Sequence, residues 1–337
     1  MMSPIVLLPS NRLQTPGGPP PRFGIADAFA RRGFAAEVID VNALPRNPFF
    51  GRASLYASID PWRAVTVLLR RRCARAVISY YQSGALLILA LRRWLGFRPP
   101  VIIVDVGDDT NWPMRARIVA YCLKRADAVF SFSRDQVADL AARHPGVKVH
   151  FLPQQIDTRF FSPVSGEGEY ILSVGGDVSR DYATLAAAVF DLGQPVVLRT
   201  DLVTPDPSRP HVTIASRGSE EDLRTLYRKA RIVVVPLLDM RHPGGITTLL
   251  EAFACGKPVV VSDARGVRDY LLHEQNCLVV PCGDVEAMRS AVVRLLDDAG
   301  LRDRLGRAAR QYAVSELSQD RYAARLMEFL TPLQVRG

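Results

Sequence analysis

The sequence predicts an α/β protein made of two doubly wound domains, each a parallel sheet flanked by helices. Three observations carry that expectation. Short β-branched runs recur along the chain with helical segments between them, the alternation of βαβ units. The runs fall into two series on either side of the stretch 158–168, which bears Pro163, Gly166 and Gly168. Finally, 337 residues exceed one ordinary core and suit two domains of about 150 each.

The first series opens with Ile5 to Leu8, which Pro9 ends. A loop to Pro21 with Gly17-Gly18, a helix from about Phe23 to Arg32 and, after Gly33, a strand Ala36 to Val41 complete the start of a doubly wound sheet. Further strands are expected at Ala76 to Tyr80, Val101 to Val104, Ala128 to Phe132 and Lys148 to Leu152. The second series reads Tyr170 to Val174, Val196 to Arg199, Val212 to Ala215, Ile232 to Pro236, Pro258 to Ser262 and Cys277 to Val280. The tail Asp284 to Leu330 reads as helix, and its last segment, after Ser315, is a candidate to cross back onto the first domain. The expected organisation is two Rossmann-like domains, 1–162 and 163–315, facing a central cleft, with a C-terminal helix over 316–337. Ligands of such sheets bind outside the carboxyl ends of the strands.

Composition narrows the class. Apolar residues make up 48% of the chain, as in a folded globular protein. No apolar run reaches the roughly 18 residues of a membrane helix; Ala85 to Leu91 ends at Arg92-Arg93, and the N-terminus does not read as a signal peptide. Five scattered cysteines, without a Cys-x-x-Cys pair, suit reduced thiols in a cytoplasmic protein. Five isolated histidines offer no ligand spacing, so neither a metal nor another cofactor is expected.

The net charge of +9 is uneven: residues 1–160 hold 22 Arg/Lys against 11 Asp/Glu, the remainder 21 against 23. Arg70, Arg71, Arg72, Arg75, Arg92, Arg93 and Arg98 concentrate the excess, with Trp94 and Leu95 among them. Either this is a solvated face of an Arg-rich protein, or it meets anionic phospholipid on the inner face of a membrane. Nucleic acid is not an expected partner, since no basic run is interleaved with aromatics.

The stretch His242 to Leu271 carries the chemistry. Gly244-Gly245 opens a helix, Glu251 lies about two turns in, and Gly256-Lys257-Pro258 stops it before Val259 to Val261. Unpaired amides and the helix dipole make such a start an anion site. A Glu deeper on the same helix accepts hydrogen bonds from a vicinal diol. Phosphate and diol together describe a nucleotide.

This block resembles the donor-binding signature of the retaining GT-B glycosyltransferases of family 4, the group 1 type. Glu251, Ala252, Ala254, Gly256, Pro258, Val259 and Val260 match it position by position. The Pro16-Gly17-Gly18 loop with Arg31-Arg32-Gly33-Phe34 is similar to that family's opening, where the glycines reach the donor phosphates. Phe151 to Phe161 is similar to its domain-junction motif through Pro153, Ile156, Asp157 and Phe160, with Gln154-Gln155 in place of Asn-Gly. The resemblance implies a ribose-binding role for Glu251. It also implies a sugar transferred from a nucleoside diphosphate to a hydroxyl acceptor with retention. The lack of an Asp-x-Asp motif or His cluster, with helix amides facing the phosphates, points to transfer without metal. The basic first half points to a lipid-linked acceptor, as in cell-surface glycan assembly.

Departures from the family mark the points in question. After Tyr170 to Val174, Gly176 and Asp181 stand where the family places an Arg and a Lys that clamp the diphosphate. Arg180 is the nearby cation, either as the clamp or as a surface salt bridge. Pro243 stands where the family has the first Glu of its acidic pair, with Asp239 and His242 as candidate replacements. Asp105, Asp108 and Asp109 take the place of a His facing the acceptor. Asp108 and Asp105 are the candidate catalytic residues, accepting a proton or stabilising positive charge. Helix capping by Asp109 or Thr110 is the alternative. The donor-binding set is Gly17, Gly18, Arg180, Arg217, Gly244, Gly245, Ile246, Thr247, Thr248 and Glu251. A nucleotide-sugar epimerase of the same fold, or a non-catalytic nucleotide-binding subunit, would fit the same pattern.

Overall fold

The computed structural model describes residues 3–9, 24–40, 61–70, 73–107, 113–215, 218–242 and 244–334. The chain divides into two compact units, residues 1–152 with 322–337, and residues 153–321.

The first unit is built on a six-stranded sheet in the order β2-β1-β3-β4-β5-β6, with every pairing parallel. Its strands are β1 (Ile5–Leu8), β2 (Ala36–Val38), β3 (Ala76–Tyr80), β4 (Val101–Val104), β5 (Ala128–Ser131) and β6 (Val149–Phe151). β1 and β4 are buried at every residue, which is why they read as unbroken apolar runs: a parallel sheet is covered on both faces. The helices are α1 (Gly24–Arg31), α2 (Pro61–Arg70), α3 (Leu86–Leu91), α4 (Pro113–Arg125) and α5 (Arg134–Arg143). α1 buries Ile25, Ala28 and Phe29, the three- and four-residue spacing of one helical face. Ser133 caps α5 by accepting from the Gln136 amide.

The second unit repeats the design in the order β12-β11-β10-β7-β8-β9, again all parallel. Its strands are β7 (Tyr170–Val174), β8 (Val196–Arg199), β9 (Val212–Ile214), β10 (Ala230–Val235), β11 (Val259–Ser262) and β12 (Leu278–Val280). The helices are α6 (Tyr182–Val189), α7 (Glu220–Lys229), α8 (Ile246–Ala254), α9 (Val285–Asp297), α10 (Ala299–Glu316) and α11 (Gln319–Gln334). α7 begins with a reciprocal Ser219–Asp222 capping box. α8 is buried at every residue except Thr247, as a helix apolar on all sides must be. From Tyr322 onward α11 belongs to the first unit, where Phe329 meets the rings of Phe130 and His150, each at 4.9 Å between centroids.

Candidate functional site

In the second sheet the chain order reverses between β7 and β10, the switch point at which doubly wound sheets bind ligands. The loop after β7 and the loop after β10 are joined there. Arg180 and Leu237 form an antiparallel bridge, the Leu238 amide donates to Ser179 O at 2.8 Å, and the Asp181 amide to Pro236 O at 3.1 Å. The expected donor residues from both loops are thereby brought to one place.

Arg180 is at its centre. It is buried, with 9% of its surface exposed, and forms an ion pair with the half-exposed Asp177. Its Nε donates to Asp177 Oδ2 at 2.9 Å and its Nη2 to Thr248 Oγ1 at 3.0 Å. Nη1 is buried without a partner. Leaving a charged donor unpaired costs several kcal/mol in a dry site, on the order of 1–3 even for a neutral one. Asp177 also accepts from the Ser179 amide and hydroxyl. Burial opposes its ionisation, but the Arg180 guanidinium and these hydrogen bonds outweigh it and hold its carboxyl below the usual range. An anionic Asp177 thus clamps the cation in place.

α8 begins directly beside Nη1. Its N-cap is Gly245 at φ +80, a left-handed conformation that side chains with a Cβ disfavour. A Cβ there would lie 2.6 Å from Leu237 Cδ2 and 3.3 Å from Arg180 Nη1. Gly175 is needed as well, since a Cβ on it would run into the Arg180 guanidinium. No side chain caps α8, which leaves its first amides and the guanidinium side by side. Thr248 links the two and donates onward to Val174 O at 3.2 Å. Gln154, from the Phe151 to Phe161 motif, donates to Thr247 Oγ1 at 3.4 Å.

Glu251 lies in the second turn of α8, buried, and accepts from Tyr227 Oη at 2.8 Å. Burial pushes its pKa up to about 7, against the Tyr227 hydrogen bond and the Arg199 charge. The position where the family has its Lys is structural in this chain. Asp181 caps α6, accepting from the Thr184 amide at 3.0 Å and its hydroxyl at 2.6 Å.

Of the candidate replacements for the first acidic residue, Asp239 is held by Arg265, whose amide and Nε donate at 3.1 Å and 3.0 Å. These bonds lower the Asp239 pKa. His242 has a buried Nδ1 without a partner. Pro243, Arg217, Gly17, Gly18, Asp108, Asp109 and Thr110 lie outside the described residues. Asp105 ends β4 in the first unit at φ +61, its amide donating to Phe130 O at 3.0 Å.

Sequence reading missed Asp177 and Tyr227. The signal for Tyr227 was an aromatic hydroxyl at an apolar position of α7, because a buried phenol requires a partner. Among the arginines of the first unit, two of those expected on one basic face have inward partners. Arg92 pairs with Asp127 at 2.6 Å, and Arg75 stacks on Phe34 at 4.8 Å. Arg93, Arg98 and Trp94 are exposed, Trp94 by 88%. Among the described residues no group of three His, Cys, Asp or Glu is placed to hold a metal ion, and no helix is long and apolar enough to cross a membrane.

Residues 208–312, which contain α7 and α8 with Tyr227, Gly245, Thr248 and Glu251 but not Arg180 or Asp177, match the family model of the glycosyl transferases group 1. The chain is similar to a GDP-mannose-dependent α-(1-6)-phosphatidylinositol monomannoside mannosyltransferase of Mycobacterium tuberculosis, with 24% identity over 80% of each chain. Among solved structures it resembles sucrose-phosphate synthase from Thermosynechococcus elongatus, at a TM-score of 0.73 and 18% identity over 99% of this chain and 100% of that one. It also resembles Anabaena HepE in complex with UDP and glucose, at a TM-score of 0.66 and 14% identity over 98% and 99%. Residues 208–312 thus carry the group 1 glycosyl transferase signature, and the chain as a whole has the GT-B fold of these neighbours.

Proposed function

We propose that the second unit holds a nucleoside diphosphate sugar at the β7/β10 switch point and that its sugar passes to a hydroxyl acceptor with retention. The single observation that carries this is the buried, unpartnered Arg180 Nη1 beside the uncapped N-terminus of α8. A diphosphate supplies oxygens to both at once. Glu251, further along the same helix, accepts the ribose hydroxyls.

As the glycosidic bond to the diphosphate breaks, negative charge builds on the leaving oxygen. Arg180 and the amides of Ile246 to Thr248 stabilise it without reorganising, the usual source of catalysis in a preorganised site. Positive charge is thereby supplied by the chain itself, and transfer proceeds without a divalent cation. The first unit takes the acceptor, with Asp105 or Asp108 as the candidate proton acceptor.

The acceptor is lipid-linked or membrane-presented, in cell-surface glycan assembly; the phosphatidylinositol monomannoside named for the mannosyltransferase relative supports the lipid-linked part of that reading. Exposed Trp94 beside exposed Arg93 and Arg98 suits peripheral contact with an anionic leaflet, where each basic side chain contributes about 1 kcal/mol. Low-salt co-sedimentation with anionic but not neutral vesicles is expected, and equal recovery with both overturns that part.

The main test is calorimetric titration with UDP, GDP and their sugar derivatives, followed by transfer assays with and without a chelator. Saturable diphosphate binding, transfer insensitive to chelation and an α-linked product from an α-linked donor are expected. Absence of nucleotide binding, or transfer restored only by magnesium or manganese, would overturn the corresponding element.

A further inference from the structure

Tyr227 is fully buried on α7, 24 residues in sequence before the group that its hydroxyl meets. That hydroxyl donates to Glu251 Oε2 at 2.8 Å and stands 3.4 Å from the Thr248 carbonyl. We propose that Tyr227 is a positioning residue for the donor: it fixes one oxygen of the Glu251 carboxylate so that the other is presented to the ribose diol. This rests on the reading of Glu251 as the ribose anchor.

Packing shows that the phenol is held rather than merely accommodated. The Phe161 ring meets the Tyr227 ring edge-on at 6.1 Å, so the end of the Phe151 to Phe161 motif braces the tyrosine. A carboxylate rotates broadly about its last bond. A fixed donor on one oxygen removes that freedom before the nucleotide arrives, and preorganisation raises affinity by reducing the ordering cost of binding. A phenylalanine would fill the same space, so the hydroxyl is needed for the carboxylate and not for the core.

The two groups titrate in different ranges. Burial, reinforced by the Glu251 charge, pushes the Tyr227 hydroxyl well above its ordinary value, so it remains a donor at every working pH. Glu251 titrates near neutrality, its pKa raised to about 7 by burial. The Tyr227 hydrogen bond, Arg199 and Arg180 pull it down, and Glu220 pushes it further up. Removing the hydroxyl therefore removes a stabiliser of the anion, and the carboxylate needs a higher pH to ionise.

The experiment titrates UDP and GDP, with their 2′-deoxy counterparts, into wild type, Tyr227→Phe and Glu251→Gln from about pH 6 to about pH 8.5. Tyr227→Phe deletes one oxygen and keeps the ring contacts. Near neutral pH it should bind the ribonucleotides about 3- to 10-fold more weakly. The loss should shrink for the deoxy compounds, and the pH midpoint of binding should move upward. Added to Glu251→Gln, the substitution should cost nothing more. Wild-type affinity and an unmoved midpoint in Tyr227→Phe, alongside weakened Glu251→Gln, would overturn the positioning role and leave the ribose anchor standing. Wild-type binding by Glu251→Gln would remove the anchor itself.

Discussion

The two sheets have comparable switch points with different chemistry. In the second unit the reversal between β7 and β10 brings together a buried arginine, a clamping aspartate and an uncapped helix start. In the first unit it falls between β1 and β3. There the Pro9 carbonyl accepts from buried Arg63 at 2.7 Å, and β3 runs into Tyr81 at φ +80 and buried Gln82. The neighbouring strand, β4, ends in Asp105, also at positive φ. Non-glycine residues in that region cost on the order of 1–3 kcal/mol each and persist where the surroundings dictate them. One edge holds fixed positive charge in reserve, whereas the other holds backbone strain with a carboxylate. Topology places a binding edge in each sheet, but the grafted side chains decide what it binds. On the function proposed above, the nucleotide belongs to the second.

The largest effect on that contrast should come from Arg180→Ala. The variant loses the charge-assisted contacts to the diphosphate, worth roughly 3 kcal/mol together, or about 100-fold in affinity. It should bind the bare nucleoside nearly as wild type does. Arg180→Lys keeps the charge but not the planar fork, and should fall between the two. Comparing calorimetric affinities for the diphosphate and the nucleoside checks this. Equal losses for both would mean that Arg180 maintains the loop rather than the ligand.

A smaller effect is expected at Glu251. Glu251→Gln should weaken UDP or GDP by about 10-fold through loss of charged acceptance. The sign of the pH dependence follows from its raised pKa of about 7. The carboxylate is the better acceptor for a diol, so wild-type affinity should rise as pH increases through that value and fall below it. Glu251→Gln should lose this component, whereas ionisation of the nucleotide phosphates affects both proteins alike. The same shift acts oppositely on folding: a carboxyl whose folded pKa is raised favours the folded state below its unfolded pKa, and that contribution is lost as pH rises through about 7. Parallel pH profiles for the two proteins would mean that some other group titrates.

Interior strands were more legible than edge strands. β1, β3, β4, β7 and β8 match the apolar runs at both ends; the first four are buried at all but at most one residue, and a strand buried on both faces must be a continuous hydrophobic run. β2, β6, β9 and β12, the sheet edges, are three residues each and shorter than their runs. Pairing on one side alone leaves their ends unsupported. The helix carrying Glu251 was legible from Gly245 and the Gly256-Lys257-Pro258 stop, since local chemistry sets both ends. Tyr227 and Asp177 were not, because neither partner of Glu251 or Arg180 is marked by spacing. Arg180 was legible as a cation but not as a buried one, since burial follows from the pairing of two loops that lie more than 50 residues apart.

The smallest effect on nucleotide binding should come from the other edge, and it sharpens the comparison most. Asp105 sits at φ +61, a conformation that Asn tolerates better than other non-glycine residues. Asp105→Asn therefore removes the charge without disturbing the turn. If the first edge serves the acceptor, affinity for UDP or GDP should stay within about 2-fold of wild type, as for surface substitutions away from a ligand. Transfer to the acceptor should nevertheless fall by about 100-fold, the lower range for loss of a positioned acid or base. Binding by calorimetry and transfer by product formation separate the two. A matching loss in nucleotide affinity would place Asp105 with the donor and break the division of labour between the sheets. Unchanged transfer would remove Asp105 from the chemistry and leave Asp108 as the carboxylate to test.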